Sequence, residues 1–414
     1  MLAGREGIAF PRFPFDLETR SEPSLAILYS TDNIGQNTTL AQLGYPGRMI
    51  FRLHDDHPRL RQVMMSCPAN RYSGARTLAD SPEASQTWRI LATDPRFDWI
   101  ELGGQGYTHS PDGDQNLHHH EFAADQTGCN LDHSRFASLE YCRQRFKLVR
   151  QAYGVAGIAD ELVTLMRFPG LAHTPAALQA AAEAGFLAIL TAPAPDRPGQ
   201  ETWLPYPGGE IAAIPDSRLL SLFARSEALE EALTSGRVSP SELTRNADYL
   251  GAVMQGVAYA DLVASTGGIL NLTDQWSATF ARIGGAAPRY EILHAVLGVI
   301  DKRRGSSVWY PSGKELALWL VLKRSATVSR RLKGGKLILR IEPPEGWRRA
   351  GGELQNASLI VTLPQGWKAT GRVRIRDESQ AWRDLGAARR WVEPRGLALT
   401  LPIRGRTQVS IERG

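Results

Sequence analysis

The sequence predicts an α/β protein followed by an all-β region, and three observations carry that prediction. From residue 23 to 322, short apolar runs alternate with amphipathic stretches, the pattern of parallel strands joined by crossover helices, so a (β/α) barrel or a doubly wound sheet. From residue 323 to 414 apolar runs follow one another between Gly, Pro and charged turns, the spacing of an all-β module. The charge divides at the same place: the last part carries 20 Lys plus Arg against 8 Asp plus Glu, a net of +12, and the rest carries 28 against 35, a net of −7. Trp347, Trp367, Trp382 and Trp391, four of the ten tryptophans, lie in the basic part. The expected organisation is an N-terminal arm over 1–22, a barrel over 23–322 and a basic β-sandwich over 323–414.

Residues 23–33 (PSLAILYSTDN) read as an apolar strand with Asp32 at its end, and 37–43 as a capped helical turn. Over 46–60, Met49, Leu53 and Leu60 keep a helical face and Pro58 closes it. His54, Asp55, Asp56 and His57 therefore read as a solvated helix terminus rather than a metal set. Residues 62–68 read as a strand, 82–94 as an amphipathic helix and 97–102 as a buried central strand. Gly103, Gly104 and Gly106 then allow turns that bring Tyr107, Thr108 and His109 to the C-terminal mouth, where such folds keep their chemistry. The alternation continues with a helix at 136–153, a strand at 164–168, an alanine-rich helix at 174–185 ending on glycine, and a strand at 187–191. Helices are expected at 227–235, opened by Ser226, and at 240–264. A strand at 268–272, a helix at 289–303, a last strand at 307–310 and a last helix at 314–322 complete the pattern.

Composition bounds the function. At 414 residues, 43% hydrophobic, the chain can hold a large core. No run approaches the eighteen or so apolar residues of a membrane span, and residues 1–23 hold charges and prolines without an apolar signal core, so neither a span nor an export signal is expected. Cys67, Cys129 and Cys142 are odd in number and have no CxxC spacing, which predicts buried thiols. Nucleic acid is not an expected partner despite the pI of about 9.1, because the basic excess lies in the β region without a reading motif.

Four short segments carry chemistry. Ser30, Thr31, Asp32 and Asn33 end the first strand; Gln105, Gly106, Tyr107, Thr108 and His109 follow the central one. Arg167, Phe168, Pro169 and Gly170 end the 164–168 strand and precede AAAEAGF, and Leu272, Thr273 and Asp274 end the 268–272 strand. His109 to Pro111 with Glu121 and Phe122, and VWYPSGKELALW from Val308, accompany them. In these segments the chain resembles the polysaccharide deacetylases of the NodB-homology type, over roughly residues 23–322. The resemblance implies a distorted (β/α)7 barrel with Asp32, His109, Arg167 and Asp274 on one mouth. It implies Asp32 as general base, Arg167 as the residue that holds it and Asp274 in the catalytic set. A divalent, zinc-like ion would be bound by His109, Asn33, Gln105 and His120; Tyr107, Pro169 and Trp276 are the candidate glycan contacts.

The departures from the family pattern are specific. Asn33 stands for the second Asp of T-F-D-D, Gln105 for the first His of H-[ST]-x-x-H, and Thr273 for the acid His of L-H-D. Neutral oxygen donors where zinc prefers carboxylate and imidazole lower affinity by orders of magnitude. His118, His119 and His120, beside Asp112, Asp114 and Glu121, are the nearest compensation; His173 reads as a helix-start residue.

The first expectation is a metal-dependent hydrolase removing acetyl groups from an N-acetylated polysaccharide or oligosaccharide. Its action is expected outside the cytoplasm or at the cell envelope, as the resemblance implies. The alternative is an inactive deacetylase-like barrel that binds glycans, with the basic region holding an anionic one. A glycoside hydrolase would need Asp32 and Glu101 or Asp274 as its carboxylate pair, which their separation decides.

Overall fold

The computed structural model describes residues 7–47, 49–69, 76–111, 121–122, 138–192, 196–217, 220–345, 347, 351–368, 371–377, 380–393 and 396–414. It divides into two compact units, Leu25–Gly313 and Met1–Ser24 with Lys314–Gly414. The described chain begins with a two-residue strand, β1 (Ile8–Ala9), of the second unit.

The first unit then alternates: β2 (Leu25–Gly35), α1 (Met49–Asp56), β3 (Gln62–Cys67), α2 (Pro82–Thr93), β4 (Ile100–Gly104), α3 (Leu139–Val155), β5 (Leu165–Arg167), α4 (Pro175–Glu183), β6 (Ala188–Thr191). It continues through β7 (Thr202–Tyr206), β8 (Gly209–Ser217), α5 (Leu220–Thr234), α6 (Ala247–Ser265), β9 (Ile269–Gln275), α7 (Trp276–Thr279), α8 (Pro288–Arg304) and β10 (Val308–Trp309). Side-chain caps start the helices where the sequence supplies them: Ser138 accepts from Tyr141 N, Thr174 from Ala177 N and Asn246 from Asp248 N.

The parallel strands close on themselves in the order β2-β3-β4-β5-β6-β8-β9, with β9 pairing back to β2. This is the closed seven-stranded α/β barrel expected, with one change of membership. The apolar run at 307–310 yields only β10, a short strand beside β2 and outside the ring, and the ring position belongs to β8. Pro215 inside β8 and the Pro207-Gly208-Gly209 turn before it make that stretch read as a loop. In a parallel ladder the proline is accommodated opposite Thr191.

Period-two alternation sorts the barrel side chains. On β2, Leu25, Ile27 and Tyr29 pack outward into the core shared with Trp88, Phe146, Tyr153 and Tyr290 of the helices. Ser30 points the other way, where Asn271 and Thr273 of β9 meet it at 2.9 and 3.0 Å. The barrel interior is thus polar near the C-terminal strand ends; lower down Val63 and Leu165, with Glu101 beside them, leave no room for a Cβ on Gly313.

Two further expectations are settled here. Cys67 and Cys142 are buried, Cys67 Sγ donating to Gln105 O at 2.9 Å, and Cys129 lies outside the described residues. The His54 to His57 end of α1 is only partly solvated: Asp55 and Asp56 are exposed, while His54 stacks on Trp99 at 4.9 Å and burial lowers its pKa. His57 is 6% exposed and meets His294 of α8 at 3.0 Å, so the terminus is packed under another helix rather than left in water.

The second unit continues with α9 (Gly313–Ser325), β11 (Thr327–Lys333), β12 (Lys336–Glu342), β13 (Leu354–Val361), β14 (Val373–Asp377), β15 (Arg383–Asp384), β16 (Arg390–Glu393), β17 (Gly396–Ile403) and β18 (Thr407–Glu412). These form two antiparallel sheets, β1-β13-β17-β16 and β11-β12-β18-β14-β15. Residues 1–22 are expected to be an arm; within them Ile8 and Ala9 pair with Val361 and Ile360. None of the described helices is long and apolar enough to cross a membrane.

Candidate functional site

Three barrel strands each end in a charged side chain, and the three meet. Arg167, at the end of β5, is 1% exposed. Its Nη1 donates to Asp32 Oδ1 from β2, and its Nη2 donates to Asp216 Oδ1 from β8 at 2.7 Å and to Ser30 Oγ at 2.8 Å. Asp216 Oδ1 also accepts from Asn271 Nδ2 at 2.5 Å and from Thr273 Oγ1 at 3.0 Å. Asp216 is fully buried, whereas the Asp32 side chain keeps 12% of its surface in solvent. One guanidinium therefore ties an interior carboxylate to one at the mouth.

The electrostatics follow from burial. Burial alone would lower the Arg167 pKa, but Asp216 and Asp32 outweigh it and the guanidinium stays charged. Burial pushes the Asp216 carboxyl above the ordinary carboxylate range, the like charge of Asp32 adds to the push, and Arg167 opposes it. Asp216 was not among the expected site residues. Its signal in the sequence is a carboxylate closing an apolar run, AAIPDS, the same grammar that singles out Asp32.

A second buried ion pair shapes the loop after β4. Glu121 accepts from the backbone N–H groups of Tyr107, Thr108 and His109, the last at 2.8 Å, and from Arg145 Nε of α3 at 2.7 Å. Arg145 also donates to Thr108 Oγ1 and lies 5.0 Å from the Tyr107 ring centroid. The pair holds His109 at φ +66, a conformation that side chains with a Cβ resist. Gly106 is required for the same reason: its φ is +82, and a Cβ there would lie 2.2 Å from Glu121 Oε2. Glu121 therefore builds the loop, and its oxygens are committed to it. Gly103 and Gly104, by contrast, lie within β4 and are small because Met65 and Met166 pack over them.

The expected site residues divide accordingly. Asp32 and Arg167 are brought into direct contact. His109 is 2% exposed and Gln105 3% exposed on the loop clamped by Glu121, and Pro169 packs under Gly106 in that same loop. Tyr107 is half-buried against Arg145. Asp274 faces the other way. It lies on β9 in phase with Leu270 and Leu272, on the side of the helices, where it accepts from Thr279 at 2.9 Å and from Arg289 at 3.3 Å. The inward residues of β9 are Asn271 and Thr273, so Asp274 stands apart from the Arg167 cluster. Trp276 is 6% exposed and packs on Phe280 at 4.4 Å, a core side chain rather than a glycan platform. Glu101 sits lower in the barrel, against Thr164 and the floor at Gly313, so it does not share the mouth with Asp32. His173 stacks on Phe168 at 5.3 Å, consistent with a positional role at the start of α4.

The seven-stranded ring is the closed α/β barrel that the alternation of apolar runs predicts, and Arg167 meets Asp32 within it. No family model matches the chain, and no curated protein matches it. Among solved structures, the chain is similar to a protein described as a polysaccharide deacetylase from Mycobacterium smegmatis, at 16% identity and a TM-score of 0.41, over 75% of this chain and 93% of that one. It is similar to the BpsB deacetylase domain from Bordetella bronchiseptica at 14% identity and a TM-score of 0.25, over 41% of this chain and 64% of that one. The 4-alpha-glucanotransferase from Thermococcus litoralis overlaps at 10% identity and a TM-score of 0.42, over 71% of this chain and 40% of that one.

A divalent ion is what the motif resemblance adds, and the donors can be compared with it. Among the described residues no group of three His, Cys, Asp or Glu side chains converges as a metal set. His109 supplies one imidazole and Gln105 one amide; the side chain of Asn33 and the whole of His118, His119 and His120 lie outside the described residues. An imidazole and a neutral amide do not make a zinc centre. The described donors do not fit the ion.

Proposed function

We propose that this chain is a carbohydrate-active hydrolase that removes acetyl groups from an N-acetylated glycan, with Asp32 as its proton acceptor. The observation that supports this reading is the unequal exposure of the two carboxylates on Arg167: Asp216 is fully enclosed and Asp32 reaches the mouth. Asp32 takes a proton from the water that adds to the acetyl carbon and returns it to the nitrogen as the C–N bond breaks, so that acetate and the free amine leave with Asp32 again a carboxylate. Arg167 is a positioning residue, since it touches Asp32 and not the mouth. Tyr107, half-buried on the loop after β4, is the glycan contact of this reading, while Pro169 is buried beneath Gly106 and supports that loop.

Asp32→Asn tests it. The change keeps shape and removes only the proton acceptor, so acetate release from N-acetylated chito-oligosaccharides should fall by about 10²–10⁴-fold while glycan affinity and thermal midpoint stay close to wild type. Acetate release that persists undiminished in the variant rejects Asp32 as the base.

A second reading is favoured by one observation: among the described residues no three His, Cys, Asp or Glu side chains converge as a metal set. In it the barrel binds N-acetylated glycans without cleaving them. Wild-type protein supplied with zinc, manganese or cobalt would then release no acetate, yet would still retain the oligosaccharide in equilibrium dialysis.

A further inference from the structure

The sheet β11-β12-β18-β14-β15 has two unlike faces. Leu337, Leu339, Ile341, Val373, Ile375, Val409 and Ile411 alternate onto one face and are each at most 1% exposed. The residues between them form the other face, and the strand register aligns them in rows. Ser329, Arg340, Gln408 and Arg376 make one row; Arg331, Ile338, Ser410 and Arg374 make the next; Lys333 and Lys336 begin a third that ends on Glu412. Neighbouring strands lie about 4.8 Å apart, so each row is a line of polar groups at that interval.

The cations in these rows are held in place. Glu412 accepts from Lys336 at 3.0 Å and from Arg374 at 2.9 Å, and Glu342 pairs with Arg340 and, at 3.3 Å, with Arg406. Arg376 donates to Gln408 Oε1 at 2.7 Å, and its guanidinium carbon lies 4.8 Å from the Trp382 ring centroid. Arg331, Lys333, Lys336, Arg340, Arg374 and Arg376 outnumber the carboxylates among them, so the acids fix the lattice without neutralising it. It is a positive face with an aromatic edge.

We propose that this face binds an acidic polysaccharide, a polymer carrying one carboxylate on each of many successive sugars. Charge repeated along a chain matches cations repeated along rows, and guanidinium groups recognise carboxylates through paired N–H donors. Gln408 and Ser329, neutral hydrogen-bonding side chains in line with Arg340 and Arg376, suit sugar hydroxyls between the charges. Trp382 offers a ring for a pyranose face at the end of the row. A membrane surface fits less well, because the large apolar side chains that are strongly exposed in this unit, Leu332 and Val392, are not on these rows. The proposal stands apart from the chemistry of the barrel and does not depend on it.

The test uses the full chain and alginate as the probe, with dextran as the neutral control. Wild type should bind alginate and not dextran, with affinity falling as salt rises. Arg340→Gln with Arg376→Gln should weaken alginate binding about tenfold or more. Arg331→Gln with Lys333→Gln, two exposed positions whose loss leaves the fold intact by circular dichroism, should weaken it as well. Asp32→Asn should leave it unchanged. Alginate binding that is unaltered in both double variants overturns the proposal. Equal binding of single-stranded DNA, or of phosphatidylglycerol vesicles, with the same losses in the variants, overturns it too, by making the face a general polyanion patch.

Discussion

Among the described residues of the barrel, the buried clusters around Arg145 and Arg167 look alike in composition and differ in what they leave available. Around Arg145, Glu121 is completely enclosed and its two oxygens receive three backbone N–H groups and a guanidinium. Around Arg167, the enclosed carboxylate is Asp216, while Asp32 keeps an edge in solvent. A carboxylate whose acceptor capacity is consumed by backbone is a part of the loop. A carboxylate gripped from one side only can accept something else. The same ion-pair chemistry therefore builds one region and equips the other, and exposure rather than burial tells them apart.

The largest effect should come from the arginine that serves two acids. Arg167→Met leaves Asp32 and Asp216 together without their cation, and breaking a buried pair in this way costs about 3–5 kcal/mol. Denaturant unfolding should record that loss, and activity should disappear with it. A midpoint within error of wild type would mean that the two carboxylates do not depend on Arg167, and the comparison would lose its basis.

Glu121→Gln should cost less, about 1–3 kcal/mol, because the amide keeps the shape and one acceptor oxygen but replaces the other by an NH2 that faces N–H donors. Its signature is local. Hydrogen exchange of the Tyr107, Thr108 and His109 amides should accelerate while the Asp32 side of the barrel stays protected. Faster exchange at Asp32 in this variant would show that the two regions act as one.

The pH dependence sharpens the contrast further. Burial raises the Asp216 carboxyl above its unfolded value, so the stability linked to that group is fully present below the ordinary carboxylate range and is lost as pH rises through the raised folded value. Wild type should therefore have its greatest urea-midpoint advantage over Asp216→Asn near pH 4, shrinking toward neutrality. An advantage that grows with pH would mean that Arg167 has pulled the carboxyl below its ordinary range. The smallest effect is expected on the surface: Arg143→Ala removes a half-exposed pair with Glu183 at 2.6 Å and should leave the thermal midpoint unmoved.

Much of the barrel was legible because its strands are short apolar runs closed by polar residues. The contact between Asp32 and Arg167 was legible from one motif at each of two strand ends. Asp274 was misplaced although the parity was available: Leu270 and Leu272 alternate with Asn271 and Thr273, and Asp274 falls in phase with the leucines. The motif position hid that arithmetic. Asp216 was missed for the opposite reason, since Pro215 and the glycines before β8 carry the local signature of a loop, and only pairing with β6 and β9 makes the stretch a strand. Trp276 illustrates a third failure: an aromatic next to a site can equally be the packing beneath it. The clamp on His109 depends on a glutamate twelve residues away and an arginine on a later helix, a dependence that no local pattern encodes.

The pairing of β1 with β13 has a consequence for the order in which the protein is made. Ile8 and Ala9 leave the ribosome before the barrel does, but the residues that receive them, Ile360 and Val361, emerge only after the whole of Leu25–Gly313 has been translated. At a few to some twenty residues per second, the first strand waits tens of seconds for its partner, and the intervening barrel has that interval in which to close on its own. A strand made before the barrel is thus placed after it. A nascent chain halted before residue 354 would hold all of the barrel residues while β1 still lacked its partner strand.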